Sequence, residues 1–130
     1  MMRRILRVLV PLALTTVILG GCGSSSSGLD LGDRPFVNEQ GKRAVTVEVV
    51  DNNFEPAFLK ISTGTTVTFT VKGRNRHNVI SIGDAFKSSD LLSPGDSVKV
   101  AFKQTGDFPF DCSLHGTPTS GMTGGIRVVD

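Results

Sequence analysis

From Ala44 onward, apolar and polar residues alternate with a period of two. Val45, Val47 and Val49 alternate with Thr46 and Glu48, Val67, Phe69 and Val71 with Thr66, Thr68 and Thr70, and Val98, Val100 and Phe102 with Ser97, Lys99 and Ala101. Side chains on a strand point alternately to its two faces, so each run predicts a strand with one face buried. Turn-forming clusters separate the runs at Asp51-Asn52-Asn53, Thr63-Gly64, Gly73-Arg74-Asn75, Ser93-Pro94-Gly95-Asp96 and Thr105-Gly106-Asp107. Shorter strands fit residues 57–61, 78–82, 107–110 and 126–129. With no helical periodicity, the pattern predicts an all-β domain, an antiparallel Greek-key sandwich of seven to eight strands.

The N-terminal part reads differently. Arg3, Arg4 and Arg7 precede an apolar run over residues 8–18, too short for a membrane span and suited to the core of an export signal. It ends in Leu19-Gly20-Gly21-Cys22, which resembles the lipobox of bacterial lipoproteins. That resemblance implies cleavage before Cys22 and lipidation of its sulfur. Residues 23–28 are Gly-Ser-Ser-Ser-Ser-Gly, and polar sequence without periodicity continues to Lys42. The expected organisation is a signal peptide over 1–21, a lipidated cysteine with a flexible tether over 22–42, and a folded domain over 43–130. Such a protein is extracytoplasmic and anchored to a membrane.

Composition narrows the chemistry. Without the leader arginines, eleven basic residues face twelve acidic ones, a net charge of −1, and no basic run remains to suggest a nucleic-acid partner. Of two cysteines, two histidines and three methionines, the predicted mature body keeps Cys112, His77, His115 and Met122. It has no partner for an internal disulfide, and a lone thiol in an oxidising compartment is exposed to oxidation unless it is occupied. Two imidazoles, a thiolate and a weak thioether form the ligand set of an electron-transfer copper.

Three of these four residues lie within residues 108–122, which read Phe-Pro-Phe-Asp-Cys-Ser-Leu-His-Gly-Thr-Pro-Thr-Ser-Gly-Met. Cys112-x-x-His115 brings sulfur and nitrogen to one side of a turn, and Met122 returns after Gly116, Pro118 and Gly121. The expectation is a metal loop between two strands, with His77, at the start of another strand, as the remaining ligand.

The chain here resembles the small blue copper proteins, the cupredoxins, closest to the plastocyanin and pseudoazurin-like branch. The resemblance runs through Asp51-Asn52-Asn53-Phe54-Glu55-Pro56, Gly64-Thr65-Thr66-Val67-Thr68-Phe69, His77-Asn78-Val79, Pro94-Gly95-Asp96-Ser97-Val98, Cys112-Ser113-Leu114-His115 and Gly121-Met122-Thr123-Gly124. It implies one copper ion with His77, Cys112 and His115 as equatorial ligands and Met122 as the axial one. It also implies that Asn78 braces the ligand-bearing segments, with Ser113 beside it.

Three departures stand out. Six residues separate His115 from Met122 where plastocyanins generally have four, so an enlarged loop is expected. Leu114 stands where the family often has proline, and Phe108 and Phe110 where tyrosines are frequent. With no tyrosine or tryptophan in the chain, aromatic relays are not expected and His115 is the electron exit. The reading is a non-enzymatic, monomeric one-electron carrier serving redox proteins at the membrane. The alternative is a copper-binding lipoprotein for delivery or sequestration. Zinc would have no use for Met122, and an enzyme would need a carboxylate pair, a triad or more histidines.

Overall fold

The computed structural model describes residues 29–130; the predicted signal peptide, the anchor Cys22 and the Ser/Gly run lie outside them. Nine strands follow in chain order: β1 Val37–Asn38, β2 Ala44–Val50, β3 Asn53–Glu55, β4 Phe58–Ser62, β5 Thr66–Val71, β6 Ile80–Ser81, β7 Ser97–Ala101, β8 Gly106–Thr117 and β9 Ser120–Val129. No helix occurs among the described residues. The strands form a five-stranded sheet, β1-β4-β9-β8-β6, and a four-stranded sheet, β3-β2-β5-β7.

The alternation read from the sequence sets the inner faces. Val47 and Val49 of β2, Leu59 and Ile61 of β4, Val67, Phe69 and Val71 of β5, and Ile126 and Val128 of β9 are all buried. Phe54, Phe69 and Phe110 fill the middle as a mutually edge-to-face trio, with ring centroids 4.9 to 6.5 Å apart. Fully burying such a ring contributes roughly 1.5–3 kcal/mol, and the edge-to-face geometry suits the ring quadrupoles.

The two-sheet, all-β class is as expected, but the pairing is mixed rather than uniformly antiparallel. β2 runs parallel to β5, β4 to β9 and β1 to β4. After the β2–β3 hairpin the chain crosses between sheets at nearly every connection, so strands that become neighbours were not joined by a turn. Parallel neighbours need such a crossover. Periodicity reports the buried face of a strand, not the direction of its partner.

The expected tether over 22–42 is also corrected, because residues 31–41 are packed on the domain. Leu31 is buried, and its side chain occupies the space above Gly125 that a Cβ there would fill, with Leu31 Cδ2 only 2.4 Å from that position. Phe36 packs edge-on to Phe58 at 6.1 Å, Arg127 stacks over Phe36, and Arg34 over Phe58. β1 then pairs with β4, and Glu39 N and Gly41 N donate to Lys60 O and Ser62 Oγ. Arg127 is itself fixed by a bidentate pair with Asp107. This strap uses isolated apolar residues without periodicity, which is why it reads as a linker.

Candidate metal centre

Two segments carry the candidate ligands, and each is fixed by backbone hydrogen bonds. His77 follows the Gly73-Arg74-Asn75 turn, where Asp51 Oδ1 accepts the N–H groups of Arg74 and Asn75 at 2.9 and 3.0 Å. The N–H of Asn75 holds the Asp51 carboxyl below its ordinary pKa against an opposing effect of burial, with smaller help from the Arg74 N–H and from His77. His77 then exchanges two backbone hydrogen bonds with Leu92, at 3.0 and 2.7 Å, so its backbone cannot slide.

The second segment is the β8–β9 hairpin. Asp111 pairs with Thr123, and the register resumes at Gly116 opposite Gly121. Four residues, Cys112 to His115, therefore face the single residue Met122. This bulge aims two donors from one strand at a common point while the thioether residue stands on the other. Beyond it, the six residues between His115 and Met122 form a short hairpin tip. Thr117 pairs with Ser120 across Pro118-Thr119, and the two hydroxyls lie 3.0 Å apart. The expected open metal loop is thus a continuation of the ladder.

Glycines make this possible at two positions. A Cβ on Gly116 would lie 2.7 Å from Met122 N, and one on Gly121 2.7 Å from His115 O. Gly121 also has φ +76°, a conformation that costs side-chain-bearing residues about 1–2 kcal/mol.

Cys112 Sγ lies 3.7 Å from His77 Nδ1 and 3.6 Å from His115 Nδ1. The imidazole rings are 4.7 Å apart and tilted by 48°, and one ligand atom from each residue falls within 4.8 Å of the others. Two donors bound to one ion at ~2.0–2.3 Å, at tetrahedral to trigonal angles, stand roughly 3.5–3.7 Å apart, so the cluster fits a single metal. Cys112, His77 and Met122 are fully buried, whereas His115 is only half-buried. Met122 belongs to the same apolar cluster as Cys112. A cysteine sulfur, two imidazoles and a thioether, with His77, Cys112 and Met122 buried, are arranged as a type 1 copper site.

The structure thus brings together His77, Cys112 and His115 and sets Met122 on the facing strand. Asn78 and Ser113 are paired with each other, Asn78 Nδ2 donating to Ser113 Oγ and Ser113 N to Asn78 Oδ1. Cys22 falls outside the described residues. Sequence reasoning missed Asp51 and Leu92, which hold the His77 segment; each lies far from His77 in sequence, and no local pattern connects them. Leu114 is 53% exposed beside His115. Asp111, just before Cys112, is buried with Oδ1 unpaired, and burial pushes its carboxyl pKa up.

No significant match was found among curated protein sequences. Among solved structures, a purple cupredoxin from Nitrosopumilus maritimus is similar over 65% of this chain and 98% of its own, at 25% identity and a TM-score of 0.57. A copper-containing nitrite reductase from Thermus scotoductus is similar over 79% of this chain, which spans only 25% of that enzyme, at 25% identity and a TM-score of 0.58. A reduced amicyanin variant shares the fold at 23% identity and a TM-score of 0.58, over 66% of this chain and 82% of its own. The family model of the cupredoxin-like domain matches residues 12–123, nearly the whole sequence. The chain belongs to the cupredoxin-like domain family.

Proposed function

We propose that the protein is a one-electron carrier that holds a single copper ion through His77, Cys112 and His115, with Met122 as a weak axial ligand. The observation that carries this reading is the placement of Cys112 Sγ within 3.6–3.7 Å of two imidazole Nδ1 atoms in a buried pocket of which only His115 reaches the surface. Bound copper supplies a one-electron couple. Backbone hydrogen bonds at His77 and the β8–β9 ladder hold the donors, so little rearranges when the charge changes. The double hydrogen bond between Asn78 and Ser113 ties the His77 segment to the Cys112 bulge, and Cys112 is buried within the same apolar cluster as Phe110, Val79 and Met122. The half-buried edge of His115 is the short path for an electron to leave, with exposed Leu114 beside it as an apolar contact for a partner.

In this proposal the chain is exported, lipidated at Cys22 and held outside the cytoplasm, where it acts as a monomer between redox proteins at the membrane. The support is the basic, apolar and Leu-Gly-Gly-Cys order of the first 22 residues. Carrying electrons and delivering copper separate in one experiment. The copper-loaded protein is mixed with a small redox reagent and, separately, with a strong Cu(I) chelator. A carrier exchanges electrons reversibly in milliseconds and gives up copper over hours; rapid loss to the chelator with slow electron exchange indicates delivery. Full burial of Cys112 and Met122 favours the carrier.

A further inference from the structure

His77 has a second ring nitrogen, and its surroundings are unusual. Nε2 is buried and has no hydrogen-bond partner at bonding distance. The nearest anionic oxygen is Asp51 Oδ1, 3.5 Å away. That oxygen is not a chance neighbour, because it already accepts the Arg74 and Asn75 N–H groups of the turn that delivers His77. Gly73 completes the arrangement, since a Cβ there would lie 2.3 Å from Asp51 Oδ1 and 2.7 Å from Asp51 N. The turn can wrap the carboxylate this closely only because residue 73 has no side chain.

The tautomer follows from the other face of the ring. Nδ1 points at Cys112 Sγ, and a neutral imidazole that offers Nδ1 to a metal carries its proton on Nε2. A buried N–H requires an acceptor, and Asp51 Oδ1, 3.5 Å from Nε2, stands within reach to serve. We propose that Asp51 is a positioning residue for the metal centre, orienting His77 through Nε2–H and, as an anion, favouring oxidised over reduced copper. This inference rests on His77 being a ligand. Hydrogen-bonded carboxylates raise the basicity of a ligand imidazole, and their loss typically costs ~10–100-fold in metal affinity. Here the loss falls on Cu(II), because the negative charge offsets the extra positive charge of that state.

Two variants and two readouts test it. In the metal-free protein, nitrogen-15 NMR is expected to show His77 as the Nε2–H tautomer in the wild type and in Asp51→Asn, whose amide oxygen still accepts. Asp51→Ala is expected to show mixed tautomers. In the copper-loaded proteins, Asp51→Asn is expected to weaken Cu(II) by ~10-fold with Cu(I) unchanged, which reads as a rise of ~59 mV in potential. A wild-type His77 protonated on Nδ1 overturns the proposal, and so does an unchanged potential in Asp51→Asn. If the protein bound no copper, the reading of function would fall, yet the tautomer measurement would still decide whether Asp51 orients His77.

Discussion

Asn78 and Ser113, 35 residues apart in sequence, exchange two hydrogen bonds: Asn78 Nδ2 to Ser113 Oγ at 2.8 Å, and Ser113 N to Asn78 Oδ1 at 2.9 Å. The pair joins the residue after His77 to the residue after Cys112, so it sets the distance between two donors on separate elements. Replacing Asn78 with Ala removes both of these solvent-exposed hydrogen bonds, at a cost of about 0.5–1.5 kcal/mol each. The expected outcome is a lower urea midpoint for the metal-free protein and faster copper loss to a chelator. An unchanged copper off-rate would mean that the clamp stabilises the fold without positioning the ligands.

The glycines of the hairpin make a sharper case. Gly121→Ala places a Cβ 2.7 Å from His115 O at φ +76°, adding backbone strain of about 1–2 kcal/mol to the clash. Because His115 and Met122 flank this contact, copper affinity is expected to fall more than stability does. Comparing the urea midpoint with the copper dissociation constant of the variant checks this.

The N-terminal strap gives a prediction that a flexible linker would not. Leu31→Ala removes a buried side chain seated on Gly125, and truncation at such a site costs about 2–5 kcal/mol. Thermal unfolding is expected to shift down by several degrees. Residue 31 of a free tether would show no shift.

Asp111 supplies a pH dependence. Burial raises its folded pKa above the unfolded value, so the group favours folding at pH values below its unfolded pKa, and that contribution is lost as pH rises through the folded pKa. Asp111→Asn removes the ionisation. The variant is therefore expected to be more stable than the wild type at pH 7 and to lose that advantage near pH 3, measured by thermal unfolding of the metal-free protein. A constant difference across pH would show that the carboxyl is not destabilised by burial.

Much of this molecule is legible in its sequence because its signals are local. The Val47/Val49 and Val67/Phe69/Val71 alternation names inner faces, and Cys112-x-x-His115 followed by Met122 names donors that one bulge brings together. Long-range relations leave no such mark. The parallel pairing of β2 with β5 is set by crossovers, and the approach of Asp51 to His77 depends on the Gly73 turn folding back onto a residue of the distant β2–β3 turn. The strap over 31–41 escapes because its burial rests on single residues, Leu31 and Phe36, against a glycine and a phenylalanine of other strands. The enlarged loop was visible as a count of residues, but its closure as a hairpin tip depends on Gly116 and Gly121 meeting across the ladder.

A copper ion bound by the Cys112 sulfur between His77 and His115 has a distinctive spectrum. Visible and EPR spectra of the protein loaded with Cu(II), wild type beside Cys112→Ser, test it most directly. The wild type is expected to show an intense charge-transfer band with narrow copper hyperfine splitting, absent in Cys112→Ser. A pale Cu(II) protein with wide splitting, the same in both, would contradict it.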